Sequence, residues 1–437
     1  MTEAPLESRG TGAVLRQPAF LAFEVSRLFS GTALTLLRAA IAWQVYALSG
    51  SAFHLGMVGL AQFLPALVLN LVGGAAADAY DRKRLVMAFQ VVPALCSTGL
   101  TILALQGKAS LGVLYGTVMV VAAAAAFESP ARSALLPQLV ERRLFPTAVA
   151  VHSAIQMGAF VSGPVVMGFA LDRGGIALPY ALHAALMTIG LASMALVRPL
   201  HGAAPRGRVH WSAIVEGLRY VRRQPIVLGC MTLDMFAVLF GGATALLPIY
   251  ATDILRVGPR GYGLLASALE IGAVLAAVAM LSRPPVRRTG PALLWAVVGF
   301  GVSTIVFGLS RFYPLSLAAY MAAGMADYLS VVMRGTAIQL STPDELRGRV
   351  SAVNLIFIGA SNQLGAAESG FVAAATSPTF SVVSGGAGAL LVALLVAWKN
   401  PALRHYRAHE PAASSTPSTP RSAPPTASRG RGTGRDA

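Results

Sequence analysis

The stretch GGAAADAYDRKRL, Gly73 to Leu85, puts three successive cations, Arg82, Lys83 and Arg84, into a very short connection between two apolar runs. One run begins near residue 53 and ends here; the other begins at 85 and continues to about 106. Each is long enough to cross a bilayer, which takes about 20 mainly apolar residues per helix. Short basic connections are retained in the cytoplasm, so the stretch predicts two spanning helices joined on the inner side. Asp78, four residues after Gly74, adds an acid at the mouth of the first span, and Asp81 directly precedes the cations.

The same ruler carried outward finds spans at roughly 19–48, 53–77, 85–106, 109–131, 146–170 and 177–197. After a long polar break come 225–250, 261–282, 291–310, 313–338, 350–373 and 380–398. Composition agrees: 55% of the 437 residues are hydrophobic and 12% charged, with a mean hydropathy of +0.64. A soluble domain carries about 25% charged residues. The expected fold is an all-α membrane protein of twelve transmembrane helices in two six-helix, pseudo-symmetric halves.

The formal net charge of +16 does not mark a nucleic-acid surface, because the cations recur in short loops and not on one periodic face. With the N-terminus placed inside, the outer loops hold only Lys108, Arg173, Arg256, Arg260 and Arg311. Most other cations, including Arg142, Arg143, Arg283, Arg287, Arg288 and the seven basic residues from Lys399 onward, fall inside. Both termini are therefore expected in the cytoplasm. No basic stretch followed by a short apolar core marks a signal peptide near Glu3 and Glu7. Cys96 and Cys230 lie inside apolar segments and imply no disulfide framework.

Residues 1–18 read as a cytoplasmic tail, 19–198 as the first half, 199–224 as a linker, 225–398 as the second half and 399–437 as a disordered cytoplasmic tail. Within the linker Trp211, Ile214, Val215, Leu218 and Val221 follow helical spacing while Arg219, Arg222 and Arg223 take another face, predicting an amphipathic helix along the inner membrane surface. Shifting the chain by 202 residues superposes Arg132 on Arg334, Leu144 on Leu346, Gly163 on Gly365, and Gly168 and Phe169 on Gly370 and Phe371. That echo suits a parallel repeat with a substrate path between the halves.

Several stretches resemble the major facilitator superfamily. Gly74, Asp78, Arg82 and Lys83 fit that superfamily's loop between its second and third helices, with Ala79 in place of an arginine and Asp81 in place of a glycine. Gly163, Pro164 and Gly168 match the Gly-Pro-x-x-Gly-Gly signature of its drug-proton antiporters, Met167 replacing one glycine. WQVYALSGSAFHLGMVGLAQFLPALVLNLVGG, ESPARSALLPQLV and TPDELRGRVSAVNLIFIGASNQLGAAESG look like the enterobactin-exporter-like branch, over about Phe20 to Trp398. The resemblance implies a monomeric secondary active transporter of the bacterial inner membrane. It would export a siderophore or amphipathic drug-like molecule by alternating access, exchanging it for protons. An uptake or lysolipid-type carrier, or a non-transporting receptor or membrane enzyme, are the alternatives. No nucleotide loop, zinc spacing or activated nucleophile stands in the sequence, so no enzyme activity, cofactor or metal is expected.

Charges inside the spans are the best site pointers, since each costs roughly 2.5 to 3.5 kcal/mol at mid-helix. Glu24, Arg27, Gly31 and Arg38 form one stripe of the first helix. Arg38 lies near mid-membrane, placed to attract an anionic group or to sit in an internal ion pair. The resemblance adds that the superfamily's basic residue midway in the fourth helix is absent, leaving Arg38 as its substitute. Asp234, Glu270 and Asp327 are the deep acids; a carboxyl group in low dielectric favours its neutral form and can carry a proton, or it can lock helices together. Glu270 is the first candidate for proton coupling. Glu128 with Arg132, and Asp327 with Arg334, are spaced to share a helix face and form latches at the inner mouth. Glu24 and Arg27 belong to the same inner cluster. Arg347 and Arg349, before the eleventh helix, are placed to approach Asp78. His152, His183, Asn354, Asn362 and Gln363 either line a cavity or join helices.

Overall fold

The computed structural model describes residues 6–198, 211–284 and 286–407. Twelve of its helices are long and apolar enough to cross a membrane, and among the described residues there is no strand. The first half comprises α1 (Pro18–Ser49), α2 (Ala52–Ala79), α3 (Arg82–Leu105), α4 (Leu111–Leu135), α5 (Phe145–Gly174) and α6 (Ala177–Ala195). The second comprises α7 (Pro225–Phe240), α8 (Gly258–Leu281), α9 (Thr289–Leu309), α10 (Tyr313–Leu340), α11 (Asp344–Ala375) and α12 (Pro378–Lys399).

The connection that opened the reading is a clasp for four helix ends. Asp81 caps α3, its carboxylate accepting from the Arg84 N–H at 2.8 Å, which satisfies one of the donors a helix start leaves free. Arg82 is buried and donates to the carbonyls of Ala77 and Ala134 at 3.3 and 3.1 Å. Lys83 donates to the Ala195 carbonyl at 2.7 Å, closing the end of α6. Arg84 is exposed. The basic run thus ties α2, α3, α4 and α6 into one end of the first half, hereafter the basic end.

The seventh span, expected as one helix over 225–250, is broken. α7 stops at Phe240, and the chain passes Gly241 and Gly242 into a 3-10 turn (Ala243–Leu246), a short helix (Leu247–Ile249) and a π-turn (Tyr250–Ile254). A Cβ on Gly242 would collide with the Gly365 carbonyl and the Ser369 hydroxyl of α11, so the break is where two backbones touch. Broken spans survive in lipid only where they are buried in protein or line a cavity.

The halves meet through α2 against α11 and α5 against α8, and the close contacts gather at the end away from the basic loops. A Cβ on Gly59 would lie 2.9 Å from the Ala367 nitrogen, and one on Gly168 2.6 Å from the Pro259 carbonyl and 3.0 Å from the Gly263 Cα. Arg260 pairs with Asp172 at 2.6 Å, Tyr46 hydrogen-bonds Asp253, and the Tyr262 hydroxyl donates to the Ala39 carbonyl at 3.1 Å. Toward the basic end the halves part: a Cβ on Gly74 or Gly359 would meet nothing within 4 Å. The molecule is closed at one end and open at the basic one.

The expected linker helix forms, and both flanking segments make contacts that spacing alone does not report. The linker helix (Trp211–Arg223) is docked on the second half: Glu216 pairs with Arg349 at 2.5 Å, the Tyr220 hydroxyl donates to the Ser341 carbonyl at 2.6 Å, and Val221 is buried. Its face toward protein is therefore spent on α10 and α11, leaving Arg219, Arg222 and Arg223 to the surroundings. The tail expected to be disordered from 399 begins with an ordered turn (Pro401–Arg404) whose Leu403 is fully buried, and the Tyr406 carbonyl accepts from the Gly290 N–H at 3.1 Å. Residues 408–437 and 199–210 lie outside the described residues.

Candidate functional site

Arg38 is the wall common to three adjoining cavities. The first, about 410 Å³, lies between α1, α2, α4 and α11 and is mainly apolar, with Gln62, Asn70 and Gln363 as its amides. The second, about 290 Å³, reaches across to the second half, where Thr244, Tyr320, Asp327 and Asn362 line it beside the Gly241–Gly242 break. The third, about 390 Å³, is a side chamber inside the first half. The Arg38 side chain is exposed to this space, and it forms no hydrogen bond or ion pair with any described residue. Glu270, on α8, is the carboxylate whose charge acts on it, and the same carboxylate acts on Asp327. A lone guanidinium that shares a cavity wall with Asp327 and feels the charge of Glu270 can hold an anion or balance an ionised carboxylate.

The other deep acid behaves differently. Asp234 is buried and paired with Arg334, across α7 and α10, and lines none of these cavities. Arg334 was expected to pair with Asp327, seven residues back; the structure gives it Asp234 and leaves Asp327 to the cavity. Removing one member of a buried pair costs about 3 to 5 kcal/mol because the other charge stays uncompensated. Asp234→Asn should therefore lower the thermal stability of the detergent-solubilised protein by that order. Wild-type stability combined with lost transport would instead make Asp234 a working acid of the cycle.

The inner-mouth residues are gathered, but within each half. Arg132 holds Glu128 within α4, at 2.7 Å. Glu24 pairs with His152 of α5 at 3.0 Å, the Arg27 guanidinium sits 5.7 Å from the Phe160 ring and that of Arg132 5.9 Å from the Phe23 ring. Arg347 pairs with Asp344 at 2.9 Å, and Arg349 with Glu216. Asp78 is exposed and meets neither arginine, so the expected Asp78 latch to Arg347 and Arg349 is not made in this state.

The Gly163, Pro164, Gly168 signature has two partners. A Cβ on Gly163 would lie 2.7 Å from the Leu36 nitrogen of α1, while Gly168 touches α8 across the halves. The signature is thus a close-packing device on two sides of α5. His183 is buried with its Nδ1 unpartnered, and Asn362 donates to the Ile358 carbonyl at 2.8 Å from the cavity edge. Sequence reasoning passed over the Asp172–Arg260 and Tyr46–Asp253 contacts, and Tyr320, whose hydroxyl shares a 2.7 Å hydrogen bond with Thr244. The only signal for the first pair was an acid in the last turns of an apolar helix.

Residues 9–430 match a family model described as transmembrane secretion effector. The chain is 27% identical over 400 residues to the enterobactin exporter EntS of Escherichia coli (strain K12), covering 90% of this chain and 94% of that protein. EntS of Shigella dysenteriae serotype 1 (strain Sd197) matches to the same extent. Among solved structures, the nucleoside transporter NupG superposes with a TM-score of 0.69 at 12% identity, over 89% of this chain and 99% of that one. A bacterial homologue of the human lysosomal transporter Spinster, in an inward-facing and unoccupied conformation, superposes with a TM-score of 0.65 at 13% identity, over 92% and 97%. At such identities these structures share the fold with this chain and nothing finer.

Proposed function

Because this chain belongs to the transmembrane secretion effector family of the major facilitator superfamily, and is a secondary transporter, we propose that it exports an amphipathic organic molecule in exchange for protons. The observation that carries the reading is Arg38, unpaired on the wall shared by three cavities and opposed by Glu270 and Asp327. The basic end is taken as cytoplasmic, in line with the distribution of cations, which makes the present state inward-open and both termini internal. Cargo enters from that side. Its apolar body lies along α2, α4 and α11, and its hydroxyl or ammonium donors meet ionised Glu270 and Asp327, whose charge Arg38 balances.

Rocking of the halves then opens the other end, where protons from outside neutralise the two acids. A protonated carboxyl group loses acceptor capacity, so the cargo is released and the protonated carrier returns. The inner-loop residues Gly74, Asp78, Asp81, Arg82, Lys83 and Arg84 supply the hinge: Asp81, Arg82 and Lys83 keep their end of the first half rigid, while Asp78 is free to dock at the start of α11 when the basic end closes. An anion near a helix N-terminus is stabilised by about 0.3 to 2 kcal/mol.

The test is transport by everted vesicles with an acid interior, using enterobactin, the cargo named for the relative, and an amphipathic dye. Either compound should accumulate inside while the proton gradient falls. Accumulation only in right-side-out vesicles would make the protein an uptake carrier, and cargo movement without proton movement would end the exchange mechanism.

A further inference from the structure

Apart from Arg38, the charged groups that line the side chamber inside the first half take no part in the proposed transport cycle. Arg132 is 4% exposed; its Nε and Nη2 both donate to Glu128 Oε1, at 3.1 and 2.7 Å, which leaves Nη1 buried without a partner. Arg27 Nε is likewise unpartnered. His183, 1% exposed, has a bare Nδ1. All three line this cavity, together with Arg38 at its junction with the central space. Three guanidinium groups thus face one lining carboxylate, Glu128, while Glu24 stands behind the wall, taken up by His152. No described cluster of three His, Cys, Asp or Glu residues could hold a metal ion.

A guanidinium can only donate, and each buried donor left unsatisfied costs about 1 to 3 kcal/mol. The complement of this chamber is therefore an acceptor-rich anion. Phe160, Pro93 and Met187 supply apolar wall, and the Phe160 ring already lies under Arg27. Leu34, Val121, Ala125 and Ser129 line both this chamber and the cavity between α1, α2, α4 and α11, so the two spaces adjoin.

We propose that the chamber is a second binding subsite that takes the carboxylate or phenolate of an aromatic acid. An exported molecule inserts such an arm toward Arg27 and Arg132 while its body occupies the central cavity. The insertion rests on the export reading; the subsite does not.

Equilibrium calorimetry on the full chain in detergent, with benzoate against neutral benzamide and no gradient, tests it. Benzoate should bind at least tenfold more tightly than benzamide, and Arg27→Gln and Arg132→Gln should each weaken it at least tenfold. Arg132→Gln disturbs the pair with Glu128, so the chamber-filling Gln156→Trp, which leaves every charge in place, is measured alongside and should also lose at least tenfold. Equal affinities for benzoate and benzamide, or undiminished benzoate binding by Gln156→Trp, would reduce the chamber to an aqueous vestibule. Benzoate binding as expected, with no export from everted vesicles, would uphold the subsite and overturn the export reading alone.

Discussion

Glu270→Gln should abolish proton-driven accumulation in everted vesicles, by at least a hundredfold, while cargo affinity falls less than tenfold. Glu270 is only partly buried, acts on both Arg38 and Asp327, and has no ion-pair partner among the described residues. A glutamine keeps its size and hydrogen-bonding reach but cannot take up a proton. The return step then loses the event that distinguishes outside from inside, because a carrier can be driven only by a ligand whose binding differs between its states. Downhill exchange of labelled for unlabelled cargo needs no proton and should survive. Asp327→Asn should act in the same direction but more weakly, since its side chain lines the cavity with Tyr320 and Asn362 while Glu270 is the acid whose charge acts on Arg38. Full proton-driven transport by the double variant would remove both acids from the mechanism.

Gly370→Leu should trap the carrier open at the end that is closed here. A Cβ at this position would overlap the Gly56 backbone of α2 and sit 2.9 Å from the Ala52 carbonyl, and backbone atoms of packed helices cannot step aside as a flexible side chain can. A penalty of about 2.8 kcal/mol on the closed arrangement already shifts the two states a hundredfold. Spin labels placed across the two ends should therefore report a longer distance at the Asp172–Arg260 end, a shorter one at the basic end, and transport reduced at least a hundredfold. Unchanged distances would mean that α2 and α11 do not have to separate there. Asp78→Asn should push the other way, favouring the basic-end-open state and slowing turnover more than it weakens cargo binding. A loss of binding alone would refute the proposed latch.

The Gly163, Pro164, Gly168 signature shows how far one motif carries. Its residues allow both a bend in the helix and the close approach of a neighbour. That Gly163 serves α1 within its own half while Gly168 serves α8 across the halves depends on the rotation of α5, which no spacing reports. Arg334 makes the same point for charge. Sharing a helix face with Asp327 was legible, but a buried guanidinium pairs with whichever carboxylate packing brings against it, and the crossing of α7 and α10 brought Asp234.

What the amino-acid sequence determined by itself was the count of twelve spans, the two halves and the basic connections. Those follow because lipid requires every spanning backbone to satisfy its own hydrogen bonds, so helix and span length are local properties. What only the tertiary structure decided was which charges are locked in pairs and which stand bare on a cavity. Asp172 and Arg260, Glu24 and His152, and Asp234 and Arg334 are each about 90 or more residues apart in the chain. Side chains so far apart meet only through the rotation and crossing of whole helices, and Arg38 was left open to solvent by the same packing.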